Sequence, residues 1–247
     1  HAWCYREISL LLGRPPGRDS YPGDIFYLHS KMIERSCYLS QEKGGGSMTF
    51  FPIVEILEGD LTAFVPSNLI SMTDGQIYLG SQLFGEGQKP ALDLGLSVSR
   101  VGSKVQWHAI KSLAGPLRLE YLQYRELLRL SKLKTSGQSE DMKQSLKRGA
   151  VLTALLRQDK DSPVCQEMQV FIFYAFHKKY LNDLKIEQVN EFQDSCLEYV
   201  RKNKPELMTL LRERRKLDAE IEQMLDEMIK GLVAEVLARS KANADLE

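Results

Sequence analysis

The sequence contains few cysteines, and they are far apart. Cys4, Cys37, Cys165 and Cys196 include no Cys-x-x-Cys pair, so their spacing predicts neither a zinc site nor a disulfide framework and favours a reducing compartment. The chain also lacks net charge, because 33 basic residues balance 33 acidic ones. We therefore expect neither a nucleic acid nor an anionic membrane surface as the main partner, since both require a net basic footprint.

Long apolar runs are missing as well. No run approaches the roughly 18 residues that a membrane span requires, and no charged segment followed by an apolar one opens the chain. The first twelve residues, from His1, have the pattern of the interior of an amphipathic helix without an N-cap before it. We expect the sequence to be a fragment that lacks its N-terminal part. Its 43% hydrophobic and 27% charged residues are typical of a globular protein.

The chain divides into two regions with different periodicities. In the first, Pro- and Gly-rich segments separate short apolar runs, and the alternation of helix and strand is typical of an α/β sheet. There the sequence predicts a loop at 13–24, a helix at 25–39, a Gly-rich connector at 41–47, and strands at 48–57 and 90–100. It also predicts a strand region at 69–79 that is interrupted by Asp74-Gly75. From Lys104 onward helical periods dominate. We therefore predict one domain at 1–103 and an all-α domain at 104–247.

The clearest helical period lies near the end of the chain. Apolar residues recur there at steps of three and four, namely Ile221, Met224, Leu225, Met228, Ile229, Leu232 and Val236. This stripe predicts a helical bundle that packs on itself, and binding of a partner is the alternative. The cluster of Arg212, Arg214, Arg215 and Lys216 is interpreted as a solvated helix face.

The apolar run at 90–100 ends in polar residues that suggest phosphate chemistry. Ser97, Ser99 and Arg100 close this run, and hydroxyls with a guanidinium at the edge of a sheet are suited to binding a phosphate. The alternative is that Arg100 closes a strand and pairs with a surface carboxylate. Glu55, at the end of another predicted strand, has two comparable interpretations: it orients a water or a hydrated metal, or it is a solvated strand end.

Other candidate sites have weaker support. The segment Gly44-Gly45-Gly46-Ser47 lacks the Gly-Lys-Ser/Thr ending of a phosphate-binding loop and precedes a predicted strand, so we interpret it as a connector. The histidines His29, His108 and His177 are isolated from one another and from cysteines at metal spacing. They therefore indicate no metal or nucleophilic triad.

Five segments occur in an order that is specific to one family. They are Arg-Pro-Pro-Gly-Arg-Asp-Ser-Tyr-Pro-Gly-Asp at 14–24, the glycines at 44–46, Ile-Ser-Met-Thr-Asp-Gly-Gln-Ile at 70–77, the run at 90–100, and Ala-Gly-Pro-Leu-Arg-Leu-Glu-Tyr-Leu-Gln-Tyr-Arg-Glu at 114–126. The chain resembles the C-terminal half of the α subunits of F-type proton-translocating ATP synthases over essentially its whole length. The resemblance implies an α/β then all-α fold: the C-terminal part of a RecA-like P-loop nucleotide-binding domain followed by a C-terminal helical bundle.

The resemblance also implies a role at a subunit interface. The α subunits of this family bind nucleotide without turning it over and alternate with β subunits in a hexameric ring around a central stalk. By resemblance, Arg100 reaches the β-subunit site in trans as an arginine finger near the γ-phosphate. Ser71, Gly75, Ser97 and Ser99 match family positions near the same interface. The complex as a whole is a proton-transporting two-sector ATPase, and the fragment alone is not expected to be active.

A nucleotide pocket of the chain's own is implied only in part. The cofactors are ATP or ADP with Mg²⁺, whose main ligands in the family would lie before His1. By resemblance, Glu55 matches a carboxylate near the magnesium water shell, so no direct metal ligand is expected. Phe84 matches an apolar wall near adenine, and Gln158 matches a residue that contacts the base. Lys89 stands where arginine is common and Lys160 where a second glutamine is common, and lysine lacks the planar guanidinium fork.

Partners and location follow from the same resemblance. The loop between Arg14 and Asp24 would face the γ subunit of the central stalk, and peripheral-stalk subunits and β subunits are the further partners, with no nucleic acid. The protein would be peripheral on an energy-coupling membrane, which is the cytoplasmic side of a bacterial inner membrane or else a mitochondrial or plastid membrane.

Two alternatives stay open. One is a truncated structural or interaction paralogue that has lost the nucleotide-binding part. The other is the non-catalytic subunit of a vacuolar-type ATPase, which shares the segment Thr-Asp-Gly-Gln-Ile. The β subunit is disfavoured because it normally has Asp-Pro-Leu where this chain has Asp93-Leu94-Gly95-Leu96.

Overall fold

The computed structural model describes residues 1–133 and 139–244. The predicted all-α domain therefore includes two segments, 134–138 and 245–247, that lie outside the described residues. Within the described residues the helices are α1 (Ala2–Leu11), α2 (Ile25–Ile33), α3 (Phe64–Met72), α4 (Ser81–Gly85), α5 (His108–Leu133), α6 (Glu140–Leu155), α7 (Gln166–His177), α8 (Ile186–Asn203), α9 (Pro205–Arg214) and α10 (Ala219–Ala244), and the strands are β1 (Gly75–Gln76) and β2 (Val98–Ser99).

The chain forms two compact units. The first comprises residues 1–77 and 97–101, and the second comprises 78–96 and 102–244 of the described residues. The second unit thus includes a segment that precedes the predicted boundary. The division at 103/104 stays a prediction about family domains.

The first unit contains much less regular strand than the sequence predicts. The strand expected at 48–57 is wrong: the segment is irregular, and a short 3-10 turn follows at Leu57–Gly59. The side chains of Phe51 and Ile53 are exposed. A strand requires a neighbour that accepts and donates its backbone hydrogen bonds. The Met48 N–H donates to the Cys37 carbonyl at 2.9 Å, but within 1–133 and 139–244 no ladder or bridge includes residues 48–57.

The strand expected at 69–79 is also largely wrong. Its first part is the end of α3, whose first turn contains Pro66, a position where proline's missing N–H costs no helical bond. The Thr73 backbone N–H and hydroxyl both donate to the Leu69 carbonyl and end the helix. Only β1 remains as strand. A short apolar run does not by itself distinguish a helix from a strand.

The run at 90–100 is interrupted by a turn. Leu92 forms an isolated antiparallel bridge with Leu79, and the ladder resumes only at β2. Between them, the Asp93 carboxylate accepts hydrogen bonds from the backbone N–H groups of Gly95 (2.7 Å) and Leu96 (3.0 Å). An aspartate that binds the backbone two residues ahead forms a turn in competition with a strand.

Two further predictions in the first unit differ only in extent. The helix expected at 25–39 ends at Ile33, because the Ser36 hydroxyl and N–H both donate to the Ile33 carbonyl. The Gly-rich segment is a connector, as expected: Tyr38 and Ser47 form an antiparallel bridge around it. Its three glycines, 44–46, have positive φ, which glycine adopts without steric cost.

The second unit is a helical bundle around one apolar core. Helix α5 packs against α6 and α7, and α8 packs against α6 and α10. The largest fully buried side chains include Tyr174, Phe171, Phe176 and Phe192. Glycine permits a close approach between α5 and α6, because a Cβ at Gly149 would lie 2.1 Å from Tyr124 Cγ.

The prediction for the C-terminal stripe is confirmed. All the stripe residues of α10 except Met224 are buried in the core of the bundle. Met224 is partly buried and packs against that core. The basic cluster at 212–216 is exposed, as expected, although Arg212 also pairs with Glu167 and Arg214 with Asp218. Within the described part of the chain, no helix combines the length and apolarity needed to cross a bilayer.

Candidate functional site

Arg100 is held by the short antiparallel ladder of the first unit. In that ladder Gly75 pairs with Ser99 and Gln76 with Val98. The ladder continues for one more hydrogen bond, from the Arg100 backbone N–H to the Asp74 carbonyl at 2.7 Å. The backbone of Arg100 is therefore fixed although its side chain is exposed.

The Arg100 guanidinium lies at the C-terminal end of α3. Its Nη1 donates to the Ser71 carbonyl (3.4 Å) and its Nη2 to the Ile70 carbonyl (3.3 Å). The last carbonyls of a helix lack intrahelical donors and carry partial negative charge, so they attract a cation. Both distances are longer than the usual 2.9–3.0 Å of N–H···O bonds. The guanidinium is thus held loosely and keeps donors for another acceptor.

The predicted serines lie close to Arg100 along the chain or in the fold. Ser71 meets the guanidinium through its carbonyl, while its hydroxyl donates to the Asn68 carbonyl at 2.7 Å. Ser99 is the β2 residue paired with Gly75, and Ser97 immediately precedes β2. The structure therefore brings Ser71, Ser97, Ser99 and Arg100 to one end of α3 and one short ladder.

Gly75 is required by the close approach of β1 and β2. A Cβ at this residue would lie 2.3 Å from the Val98 carbonyl oxygen and 3.0 Å from Ser99 Cα. Both are backbone atoms, so no side-chain rotation would relieve the overlap. The sequence marks Gly75 only as part of a motif, whereas the structure supplies a steric reason for it.

In the second unit, three of the predicted base-contact residues come together. The Gln158 backbone N–H donates to the Lys89 carbonyl at 2.9 Å. The Lys89 ammonium lies 5.5 Å from the centroid of the Phe84 ring, within the range of a cation–π interaction. The Phe84 side chain is exposed, so its ring is available to stack on a planar ligand.

An ion pair that the sequence did not reveal fixes the end of α4 beside Phe84. Arg125 Nη1 on α5 donates to Glu86 Oε2 at 2.7 Å. Burial lowers the pKa of Arg125, but the hydrogen bond to Glu86, the charge of Glu86 and the nearby tyrosines together outweigh it, so the pKa of Arg125 is raised. Nothing in the spacing of these residues indicates the contact, because they belong to different elements.

The remaining predicted site residues, Lys160 and Glu55, are exposed. Lys160 is in a turn between α6 and α7, two residues after Gln158. Glu55 belongs to the irregular segment of the first unit. Among the described residues, no group of three or more histidine, cysteine, aspartate or glutamate side chains is arranged to hold a metal ion. A single carboxylate such as Glu55 could contact Mg²⁺ only as one ligand among several.

The loop between Arg14 and Asp24 is closed by a three-residue cluster. Arg14 Nη2 donates to Asp24 Oδ2 (2.8 Å) and Nη1 donates to the Tyr5 hydroxyl (2.9 Å), which itself donates to Asp24 Oδ2 (2.8 Å). The Arg14 guanidinium lowers the pKa of Asp24. The predicted loop is therefore confirmed, and it contains one 3-10 turn, Arg18–Ser20.

Comparison with known proteins identifies the family. Residues 1–99 match the ATP synthase alpha/beta family, nucleotide-binding domain, and residues 106–232 match the ATP synthase alpha/beta chain, C terminal domain. ATP synthase subunit alpha of Clostridium botulinum (strain Alaska E43 / Type E3) is 47% identical over 226 residues, which are 92% of this chain and 45% of that protein. The subunit of the same name from Clostridium kluyveri (strain NBRC 12016) is 44% identical over 225 residues, which are 91% of this chain and 44% of that protein.

The chain spans less than half the length of these curated relatives. The order of the two matched domains, nucleotide-binding then C-terminal, confirms the predicted fold class. Glu55, Ser71, Phe84, Lys89, Ser97 and Ser99 lie in nucleotide-binding-domain sequence, Arg100 directly follows that match, and Gln158 and Lys160 lie in the C-terminal domain. This chain therefore belongs to the ATP synthase alpha/beta family, with nucleotide-binding-domain sequence followed by the C-terminal domain.

Proposed function

We propose that this chain is part of an α-type, non-catalytic, regulatory nucleotide-binding subunit of an F-type ATP synthase head. In this proposal it alternates with β-type subunits in a ring and supplies Arg100 in trans to the β-type site for ATP synthesis and hydrolysis. The observation that carries the proposal is the arrangement of Arg100, whose backbone is fixed by a ladder while its exposed guanidinium makes long hydrogen bonds to the Ile70 and Ser71 carbonyls.

The arrangement suits a residue that acts on a neighbour's substrate. A guanidinium is always charged and can donate two parallel hydrogen bonds to phosphoryl oxygens. Arg100 would exchange its two carbonyl acceptors at the end of α3 for phosphoryl oxygens of the bound nucleotide. The fixed backbone limits where the guanidinium can reach, which reduces the conformational entropy lost when it binds.

The group formed by Phe84, Lys89 and Gln158 is proposed to contact the nucleotide base of the chain's own site. The Phe84 ring offers an apolar face, and the Gln158 side chain offers an amide. Lys160 would lie at the edge of the same site, and Glu55 would take part through water at a Mg²⁺ ion bound to the phosphates. The described carboxylates do not by themselves form a magnesium site, so no step is assigned to the ion.

The remaining proposals concern assembly. The exposed loop between Arg14 and Asp24 is proposed to face the γ subunit of the central stalk, where the Arg14–Asp24–Tyr5 cluster holds its shape. Peripheral-stalk subunits are further partners. The complex would act as a proton-transporting ATPase and lie peripherally on an energy-coupling membrane.

The test is Arg100→Lys in the complete subunit, assembled with its β-type partners. Lysine keeps the charge but loses the fork, so multisite ATP turnover is expected to fall by orders of magnitude while nucleotide binding at the β-type sites persists. Arg129→Lys is the matched control, because Arg129 is also exposed and forms a long ion pair with Glu126 at 3.9 Å. Unchanged turnover in Arg100→Lys would contradict the proposal.

A further inference from the structure

A glutamine on α8 binds the end of α6. Gln193 Nε2 lies 3.3 Å from the Leu155 carbonyl and 3.3 Å from the Arg157 carbonyl. A side-chain amide has two N–H donors, so one hydrogen serves each carbonyl. Helix α6 ends at Leu155, and the last carbonyls of a helix have no intrahelical donor. The Gln193 amide therefore supplies hydrogen bonds that α6 cannot supply itself.

The residue after Arg157 is Gln158, which is bound on its other side. Its backbone N–H donates to the Lys89 carbonyl at 2.9 Å, and its side-chain amide donates to the Ser162 carbonyl at 3.1 Å. The segment from Leu155 to Gln158 is thus hydrogen-bonded to α8 through the Gln193 side chain. It is hydrogen-bonded to Lys89, beside Phe84, through the Gln158 backbone N–H.

We propose that Gln193 is a positioning residue for the nucleotide-base contact made by Gln158. The inference rests on the proposed nucleotide site, but Gln193 is not assigned to that site by any motif. A cavity of about 690 Å³ is lined by Arg157, Gln158 and Gln193. Without the amide, water in this cavity would compete for the two carbonyls, and the segment that carries Gln158 would gain conformational freedom.

Gln193→Met tests the proposal, with Gln188→Met as its matched control. Methionine has a similar length and helix propensity but no N–H donor. Gln188 lies on the same helix and its side chain also makes two hydrogen bonds. Its Nε2 donates to Ser240 Oγ (2.9 Å), and its Oε1 accepts from the Lys185 backbone N–H (2.8 Å). The control therefore removes comparable bonds from α8 without touching the 155–158 segment.

Two readouts are combined in the assembled complex that contains the complete subunit. Hydrogen exchange followed by mass spectrometry measures the opening of peptides that cover 156–163. The fluorescence of a Phe84→Trp variant measures ATP binding at this site and not at the β-type sites. We expect Gln193→Met to exchange about five- to tenfold faster and to bind ATP about five- to tenfold more weakly, because its two lost hydrogen bonds are long and together have about the effect of one ordinary hydrogen bond. Gln188→Met is expected to change neither quantity in this segment.

Three results would contradict the inference, and they are distinguishable. Unchanged exchange in Gln193→Met would show that the amide does not hold the segment. Faster exchange with unchanged ATP affinity would show that the segment does not position the base contact. If ATP leaves the Phe84→Trp fluorescence unchanged in the otherwise wild-type subunit, the proposed base site itself is wrong and the inference is overturned with it.

Discussion

Replacing Gly75 by alanine is expected to displace Arg100. The added Cβ would lie 2.3 Å from the Val98 carbonyl oxygen, whereas a non-bonded carbon and oxygen normally come no closer than about 3.3 Å. Strand β2 must therefore move by about 1 Å relative to β1. Because Ser99 pairs with Gly75 and Arg100 follows Ser99, the displacement is transmitted directly to the backbone of Arg100.

The size of the effect follows from this displacement. A misplacement of about 1 Å at a catalytic group costs about 10²-fold in rate, whereas loss of a trans arginine costs about 10³–10⁵-fold. Gly75→Ala is thus expected to fall between the wild type and Arg100→Lys in steady-state ATP turnover of the assembled complex. Gly115→Ala is the control, because a Cβ at Gly115 meets no atom within 4 Å, and it is expected to leave turnover unchanged.

A double-variant cycle separates this mechanism from general destabilisation. If Gly75 acts through Arg100, adding Gly75→Ala to Arg100→Lys lowers turnover little further, since the two changes affect one interaction. Fully additive losses would indicate that Gly75→Ala damages the unit independently of Arg100. Wild-type turnover in a normally assembled Gly75→Ala complex would refute the steric reasoning itself.

Three further predictions concern the helical unit. In Gly149→Ala the new methyl would overlap Tyr124, and overpacking costs about 1–3 kcal/mol whereas the gain in helix propensity is about 1 kcal/mol. Urea unfolding is therefore expected to show a net loss of stability. A gain in stability would contradict the close contact. Burial raises the pKa of Glu167, but hydrogen bonds to its own backbone and to Arg212 outweigh it and the net pKa is lowered, so the carboxylate stabilises the fold above its unfolded pKa. The unfolding free energies of wild type and Glu167→Gln are then expected to differ at neutral pH and to converge as pH falls through the folded pKa, and a pH-independent difference would contradict this assignment. Burial raises the pKa of Cys196 to about 12, so a thiol reagent near neutral pH is expected to label Cys196 only after unfolding. The three exposed cysteines are expected to be labelled earlier, and mass spectrometry measures the order of labelling.

The helical elements could be predicted from the sequence better than the strands could. A helix such as α10 satisfies its backbone hydrogen bonds internally, so the spacing of its apolar residues is enough to locate it. A strand depends on a neighbour that its own sequence does not describe. This is why the apolar segment at 48–57 has the pattern of a strand and yet is irregular within the described residues.

The candidate site was predictable only in part, for a related reason. Resemblance to the family predicts single site residues such as Phe84 and Gln158, but not the contacts between them. The hydrogen bond from Gln158 to Lys89 joins the segment before α7 to the segment after α4, and the bonds from Gln193 to the end of α6 come from a third element. No periodicity or spacing connects these elements, because only the packed bundle brings them together.

The departure at Lys89 illustrates how this packing limits the effect of a substitution. Arginine is common at this family position, and lysine loses the planar fork that binds two acceptors at once. Yet Lys89 makes two contacts here: its main-chain carbonyl accepts a hydrogen bond from the Gln158 N–H, and its ammonium lies 5.5 Å from the Phe84 ring centroid. The first does not depend on the side chain, and the second requires only a cation. Lysine therefore preserves the local connection between Phe84 and Gln158, and what it lacks is the ability to donate a bidentate pair to a ligand.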